Sequence, residues 1–211
     1  MKLIILSALF VSILSSPVLA GFTEGVAAYE SGNAPLAAKE FSAAAEEGHA
    51  DSQFNLGLMY EKGIGVSKDE KEAVVWYLKA ALQGNAYAQY NLAVLYENGR
   101  GIDVNFAQAH QWYRKAAVQG DGLAVGNLGM LYLRGQGVKK DKVAGLALLL
   151  LSIKMDNSSE NRARQNVSLI KGLTPEVIAE AQTLSLEMGE DKNLLMPLDR
   201  YLKNKTANAN L

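Results

Sequence analysis

Two histidines, a recurring Gly-x-Gly and two Trp-Tyr pairs are the features of this 211-residue chain whose residue types could bear chemistry. Histidine serves as a general base or a metal ligand when other groups converge on it. His49 falls in a turn after Gly48, and His110 sits on a helix beside an alanine stripe, where it is expected to face solvent. Neither has a second histidine or a carboxylate at ligand spacing, so the sequence implies no metal and no catalytic base. The triplets at Gly63/Gly65, Gly99/Gly101 and Gly135/Gly137 resemble a phosphate loop only superficially. They lack the third glycine of a dinucleotide site and the Gly-Lys-Ser/Thr of a P-loop, and each follows a helix, not a strand. They read as turn glycines, and no nucleotide or other cofactor is expected. No Gly-x-Ser-x-Gly elbow occurs, and no Ser-x-x-Lys stands beside an obvious partner. The chain has no cysteine, which excludes thiolate catalysis, disulfides and cysteine-zinc sites. Adjacent carboxylates such as Glu46-Glu47 suit a solvated surface.

The elements that carry these residues repeat with a fixed period. Residues 54–89 align without a gap on residues 90–125, and 15 of the 36 paired positions are identical. Asn127, Leu128, Tyr132, Gly135 and Gly137 continue the pattern over 126–160. A degenerate copy over 22–53 precedes them, with Phe41, Ala44 and Ala45 in the phase of Tyr77, Ala80 and Ala81. Each copy reads as helix–turn–helix. Leu56 and Tyr60 share one face of a first helix, which Gly63 ends. Asp69, Asn105 and Asp141 are placed to cap the second helix, whose stripe runs Ala73, Trp76, Tyr77, Ala80, Ala81. A helix of about 12 residues is marginal alone, so the copies must stack to bury their apolar sides. Trp76/Tyr77 and Trp112/Tyr113 could stack on a ligand, but their strict phase points to packing between repeats.

The pattern N-L-x-x-x-Y-E-x-G-x-G-[VI], followed by A-x-x-W-Y-x-x-A-A-x-x-G, resembles the Sel-one-like repeat (SLR), a relative of the tetratricopeptide repeat. The resemblance spans roughly 22–160. It implies an all-α fold: a right-handed α/α superhelical solenoid of about four repeats that scaffolds protein complexes, with bacterial members often acting at the cell envelope. Some cysteine-rich relatives have been linked to penicillin binding or β-lactam hydrolysis, and this chain lacks their disulfide framework.

The copy at 126–160 departs from the pattern, since Leu148 and Leu149 replace the Trp-Tyr pair. Val143 to Leu151 is apolar all round, as expected of a helix covered on both sides. A helical cap over 161–203 should provide the cover, from helices near 159–171, 175–188 and 193–203. Thr174 and Pro175 should open the second of these, and Leu195, Leu198 and Leu202 should pack back from the third. The tail 204–211 is expected to be disordered.

Charge and the amino terminus bound the setting. Lys and Arg total 21 against 22 Asp and Glu, which gives no basic footprint for nucleic acid. Met1-Lys2, the apolar Leu3 to Leu14, Pro17 and Val18-Leu19-Ala20 form the three parts of a secretory signal over 1–20, with cleavage expected after Ala20. A periplasmic or secreted protein follows, with no stable membrane insertion once the signal is removed.

The expected function is non-enzymatic: a scaffold that binds a partner protein or peptide on its concave helical surface. The alternative is a hydrolase acting on cell-wall or β-lactam substrates. If Leu56, Leu92 and Leu128 mark the buried phase, Phe54, Leu58 and Glu61 face the groove in one copy. Tyr87, Tyr90, Val94 and Glu97 do so in the next, and Met130 and Arg134 in the last. Glu30, Glu61 and Glu97 would line up as a column suited to a peptide with apolar and basic residues.

Overall fold

Turn chemistry repeated every 36 residues sets the helix boundaries. The computed structural model describes residues 17–209, which contain eleven helices and no strand. Most of the expected secretory signal, residues 1–16, lies outside the described residues. The chain divides into two compact units between Val104 and Asn105.

The first unit holds α1 (Pro17–Glu30), α2 (Ala34–Glu46), α3 (Ala50–Lys62), α4 (Glu70–Leu82) and α5 (Ala86–Asn98), each packed on the next. Asp69 caps α4 by accepting from the amides of Lys71 and Glu72. His49 and Asn85 cap α3 and α5 in the same way. Helices α3 and α5 each end on a glycine in the left-handed region, Gly63 and Gly99. Phe41, Phe54, Leu56, Met59 and Tyr77 are fully buried and form the core. Gly57 lets α3 and α4 close on each other, because a Cβ there would lie 2.8 Å from the Tyr77 ring. Gly25 meets Phe41 in the same manner, so the degenerate first copy keeps the helix-pair contact of the others.

The second unit holds α6 (Phe106–Val118), α7 (Gly122–Arg134), α8 (Lys142–Met155), α9 (Ala163–Ser168), α10 (Pro175–Glu190) and α11 (Met196–Asn208). Asn105, Asp121 and Asp141 cap α6, α7 and α8. Helix α8 packs against α7, α9 and α10, which is why every residue from Val143 to Leu149 is buried. Leu148 and Leu149 fill the space of the missing Trp-Tyr pair, each with no exposed surface.

The carboxy-terminal cap differs from its expected outline. Helix α9 has six residues, far short of 159–171. Helix α11 runs to Asn208, although the sequence pattern suggests disorder from Asn204. Leu195, Pro197 and Leu198 bury its first turn. Arg114 Nη2 meets Asp199 at 2.7 Å, and Lys205 Nζ meets Asp141 at 2.6 Å. Those long-range charge contacts anchor the later turns and are invisible to local propensity.

Candidate functional site

Helix α3 carries three of the expected groove residues, and the structure corrects all three. Phe54, Leu58 and Glu61 are buried, with exposures of 1%, 5% and 7%. The physical reason is that α3 lies between α2 and α4, so nine of its thirteen residues are covered. On α3 the positions at i±2 from the buried Leu56 are therefore covered.

Glu61 is drawn inward by specific partners. Tyr77 Oη donates to Glu61 Oε2 at 2.8 Å, and Arg100 Nη1 donates to Oε1 at 3.0 Å. Arg100 also reaches Glu70 through Nη2 at 2.6 Å and Nε at 3.1 Å. An arginine from one turn thus clamps two carboxylates of the preceding repeat, in the planar geometry that a guanidinium favours. The Arg100 hydrogen bond, then that of Lys68, holds the Glu70 carboxyl below its ordinary value. Burial, reinforced by the Glu61 charge, pushes the Tyr77 phenol up, so it stays protonated and donates. Glu30, by contrast, is exposed, so Glu30, Glu61 and Glu97 form no uniform column. Arg100 was missed at the sequence level. Its signal is that copies with Ile64 and Gln136 at this phase lack it.

The remaining groove candidates are accessible. Tyr87, Tyr90, Val94 and Glu97 stand three, four and three residues apart on α5, along one stripe. Tyr87 is 54% exposed and its ring rests 5.9 Å from the buried Phe54 ring. Tyr90, Val94 and Glu97 are half-buried. In the second unit Met130 and Arg134 border a cavity of about 390 Å³ that also involves α8 and the segment around α9.

The other candidate groups are structural. Trp76 and Trp112 are buried, each under a lysine at 3.7 and 4.0 Å from the ring centre. His49 Nδ1 accepts from the Ser52 amide at 3.2 Å and so does the work of an N-cap. His110 does not face solvent as expected. It is half-buried, with Nε2 3.3 Å from the Tyr132 hydroxyl, and burial pulls its pKa down to about 4. Among the described residues no group of three or more His, Cys, Asp or Glu could hold a metal, and no helix is long and apolar enough to cross a membrane.

Comparison with known proteins accords with this geometry. A family model described as the Sel1 repeat matches residues 50–85, 86–121 and 123–157, windows that begin at α3, α5 and α7. A Sel1 repeat protein from Oxalobacter formigenes shares 33% identity over 84% of this chain and 80% of its own, with a TM-score of 0.64. The chain is also similar to c5321, a protective antigen present in uropathogenic Escherichia coli strains that displays an SLR fold. That likeness has 28% identity and a TM-score of 0.53, over 88% of this chain and 48% of that one. No curated protein shows significant similarity to the chain. Sel1 repeats are generally protein-interaction scaffolds and typically non-enzymatic adaptors. With repeat matches over half its length and a Sel1 repeat protein 33% identical over most of both chains, the chain belongs to the Sel1 repeat family.

Proposed function

We propose that this protein is exported to the periplasm or beyond the cell, and that it holds a partner protein against a rigid helical wall without catalysing a reaction. The observation that carries the reading is the α5 stripe. Tyr87, Tyr90, Val94 and Glu97 present aromatic, apolar and acidic groups from one stiff helix, and Tyr87 is braced from below by Phe54. Aromatic side chains of this kind dominate binding hot spots because they offer large area at low entropic cost. Buried polar groups such as Glu61 and Tyr77 are occupied in joining one repeat to the next, which supports a positioning role. The apolar Leu3 to Leu14 after Lys2 supports export.

The test pairs capture with turnover. Tyr90→Ala with Glu97→Lys should abolish retention of a partner from envelope extract while leaving the thermal midpoint unchanged. A large fall in midpoint would place these residues in the core. Nitrocefin or peptidoglycan turnover that one polar substitution abolishes would replace the scaffold reading with the hydrolase. Mass spectrometry of the exported chain should find Gly21 at its amino terminus.

A further inference from the structure

We propose that the cavity formed by α7, the start of α8 and the segment after α9 binds an acidic peptide that also carries an apolar side chain; the inference deepens the scaffold reading and rests on it. The argument begins from repeat register. Two repeats after Glu61, Glu70 and Arg100 come Leu133, Lys142 and Gly172. Where the first unit sets two carboxylates around an arginine, the second has a leucine in place of one carboxylate and a lysine that reaches backbone carbonyls in place of the other. Lys142 Nζ donates to the carbonyl oxygens of Lys171 and Gly172 at 3.1 and 3.0 Å, which holds the rim of the cavity in place.

The space exists because the stack is interrupted. The first helices α3, α5 and α7 have thirteen residues each, whereas α9, which follows α8, stops after six. The cavity of about 390 Å³ lies within the ordinary range of specific pockets, about 300–1,000 Å³.

Its lining identifies the occupant. Arg134, Lys140, Lys142 and Lys171 border it, and no carboxylate does. Among the described residues, no acidic side chain pairs with Lys140, Lys142 or Lys171. Met130 and Leu133 supply a half-buried apolar floor, and Leu169 stands 68% exposed at the edge. Cations around an apolar floor fit a segment with carboxylates flanking a leucine-like side chain. Overall charge favours the same partner. Residues 105–211 carry fourteen Lys and Arg against ten Asp and Glu, whereas 21–104 carry six against twelve. An acidic segment is therefore drawn to the second unit and repelled by the first.

The probe is a fluorescein-labelled Glu-Asp-Leu-Glu-Asp-Leu-Glu peptide, titrated with the full-length protein by fluorescence anisotropy. Lys140→Glu with Lys171→Glu should weaken binding at least about tenfold, since each removes one charge contact and adds a repulsive one. Both lysines are exposed, so the midpoint should hold. Leu169→Ser, also at an exposed site, should weaken binding without altering charge. Equal binding by the charge-reversed protein would overturn the proposal. So would equal binding of the Gln/Asn counterpart of the peptide, or of a counterpart with glycine for leucine. Concentration-dependent self-association that the same lysine substitutions abolish would assign the cavity to a second copy and overturn it too. If the α5 substitutions still cost partner capture while the peptide fails, the scaffold reading survives and only this site falls.

Discussion

At the α3–α4 turn the chain closes on itself; at the α7–α8 turn, two repeats later, it stays open. Glu61 and Glu70 receive Arg100 from the following turn in the first case. In the second, Lys142 meets only backbone carbonyls, Leu133 has no carboxylate to offer, and a cavity remains. The helix–turn–helix backbone is the same, with a left-handed glycine at Gly63 and Gly135 and an aspartate cap at Asp69 and Asp141. Backbone register in a repeat fold therefore fixes where side chains meet, and a few substitutions decide whether a meeting point seals or receives.

The largest effect expected from this contrast is on stability. Tyr77→Ala empties a fully buried ring site and should cost about 3–5 kcal/mol. Leu149→Ala, at the same phase two repeats on, should cost about 2–5 kcal/mol by the same cavity argument. Urea denaturation of both compares the two units directly, and a loss below 1 kcal/mol at either site would mean that the core there is loosely packed.

A smaller loss should follow Arg100→Ala, which leaves the buried Glu61 carboxylate with only the longer contact to Lys62, at 3.5 Å, as its cation. We expect about 2 kcal/mol, between exposed and buried pairs because the Arg100 side chain is 34% exposed. The loss should change little with added salt, since Glu61 is shielded from solvent. A loss that vanishes in salt would make the clamp a surface pair.

A gain should come from Phe41→Tyr. Asn127 donates to the Tyr113 hydroxyl at 3.1 Å, and Asn91 bonds Tyr77 at the same fourteen-residue spacing. Asn55 stands fourteen residues after Phe41, which has no hydroxyl, and both polar atoms of its buried amide lack a partner. Restoring the hydroxyl should stabilise the first unit by about 1 kcal/mol. A lower thermal midpoint would mean that the phenylalanine site cannot accept the extra oxygen.

The mildest effect is on pH dependence, in the second unit. Burial and then Arg114 lower His110 to about 4, against the opposing charge of Asp199. The folded value lies below the unfolded one of about 6.5, so the unfolded chain takes up the proton first. Stability should therefore fall as pH drops from about 6.5 toward 4, and His110 should add no pH dependence above that window. His110→Gln should flatten this limb, and an unchanged slope would assign the acid sensitivity to other groups.

The sequence by itself determined the repeat period, the helix pairs and the caps at Asp69, Asn105 and Asp141. Each follows from local chemistry repeated at one phase: glycine where the chain turns left-handed, an oxygen where a helix begins. It also determined that Trp76, Tyr77, Trp112 and Tyr113 are core, because only packing demands such regular spacing. Tertiary structure alone decided which surface remains. Glu61 and Glu97 look alike in the sequence, yet Glu61 is buried beneath Arg100, a residue 39 positions away. Phe54 and Leu58 fit a groove by repeat phase alone, yet they lie inside, because α3 has neighbours on both sides. Helix α11 continues past Asn204 through its Lys205–Asp141 contact. Exposure is a property of what stacks against a helix, and a pattern read within one repeat holds no information about the neighbours that cover it.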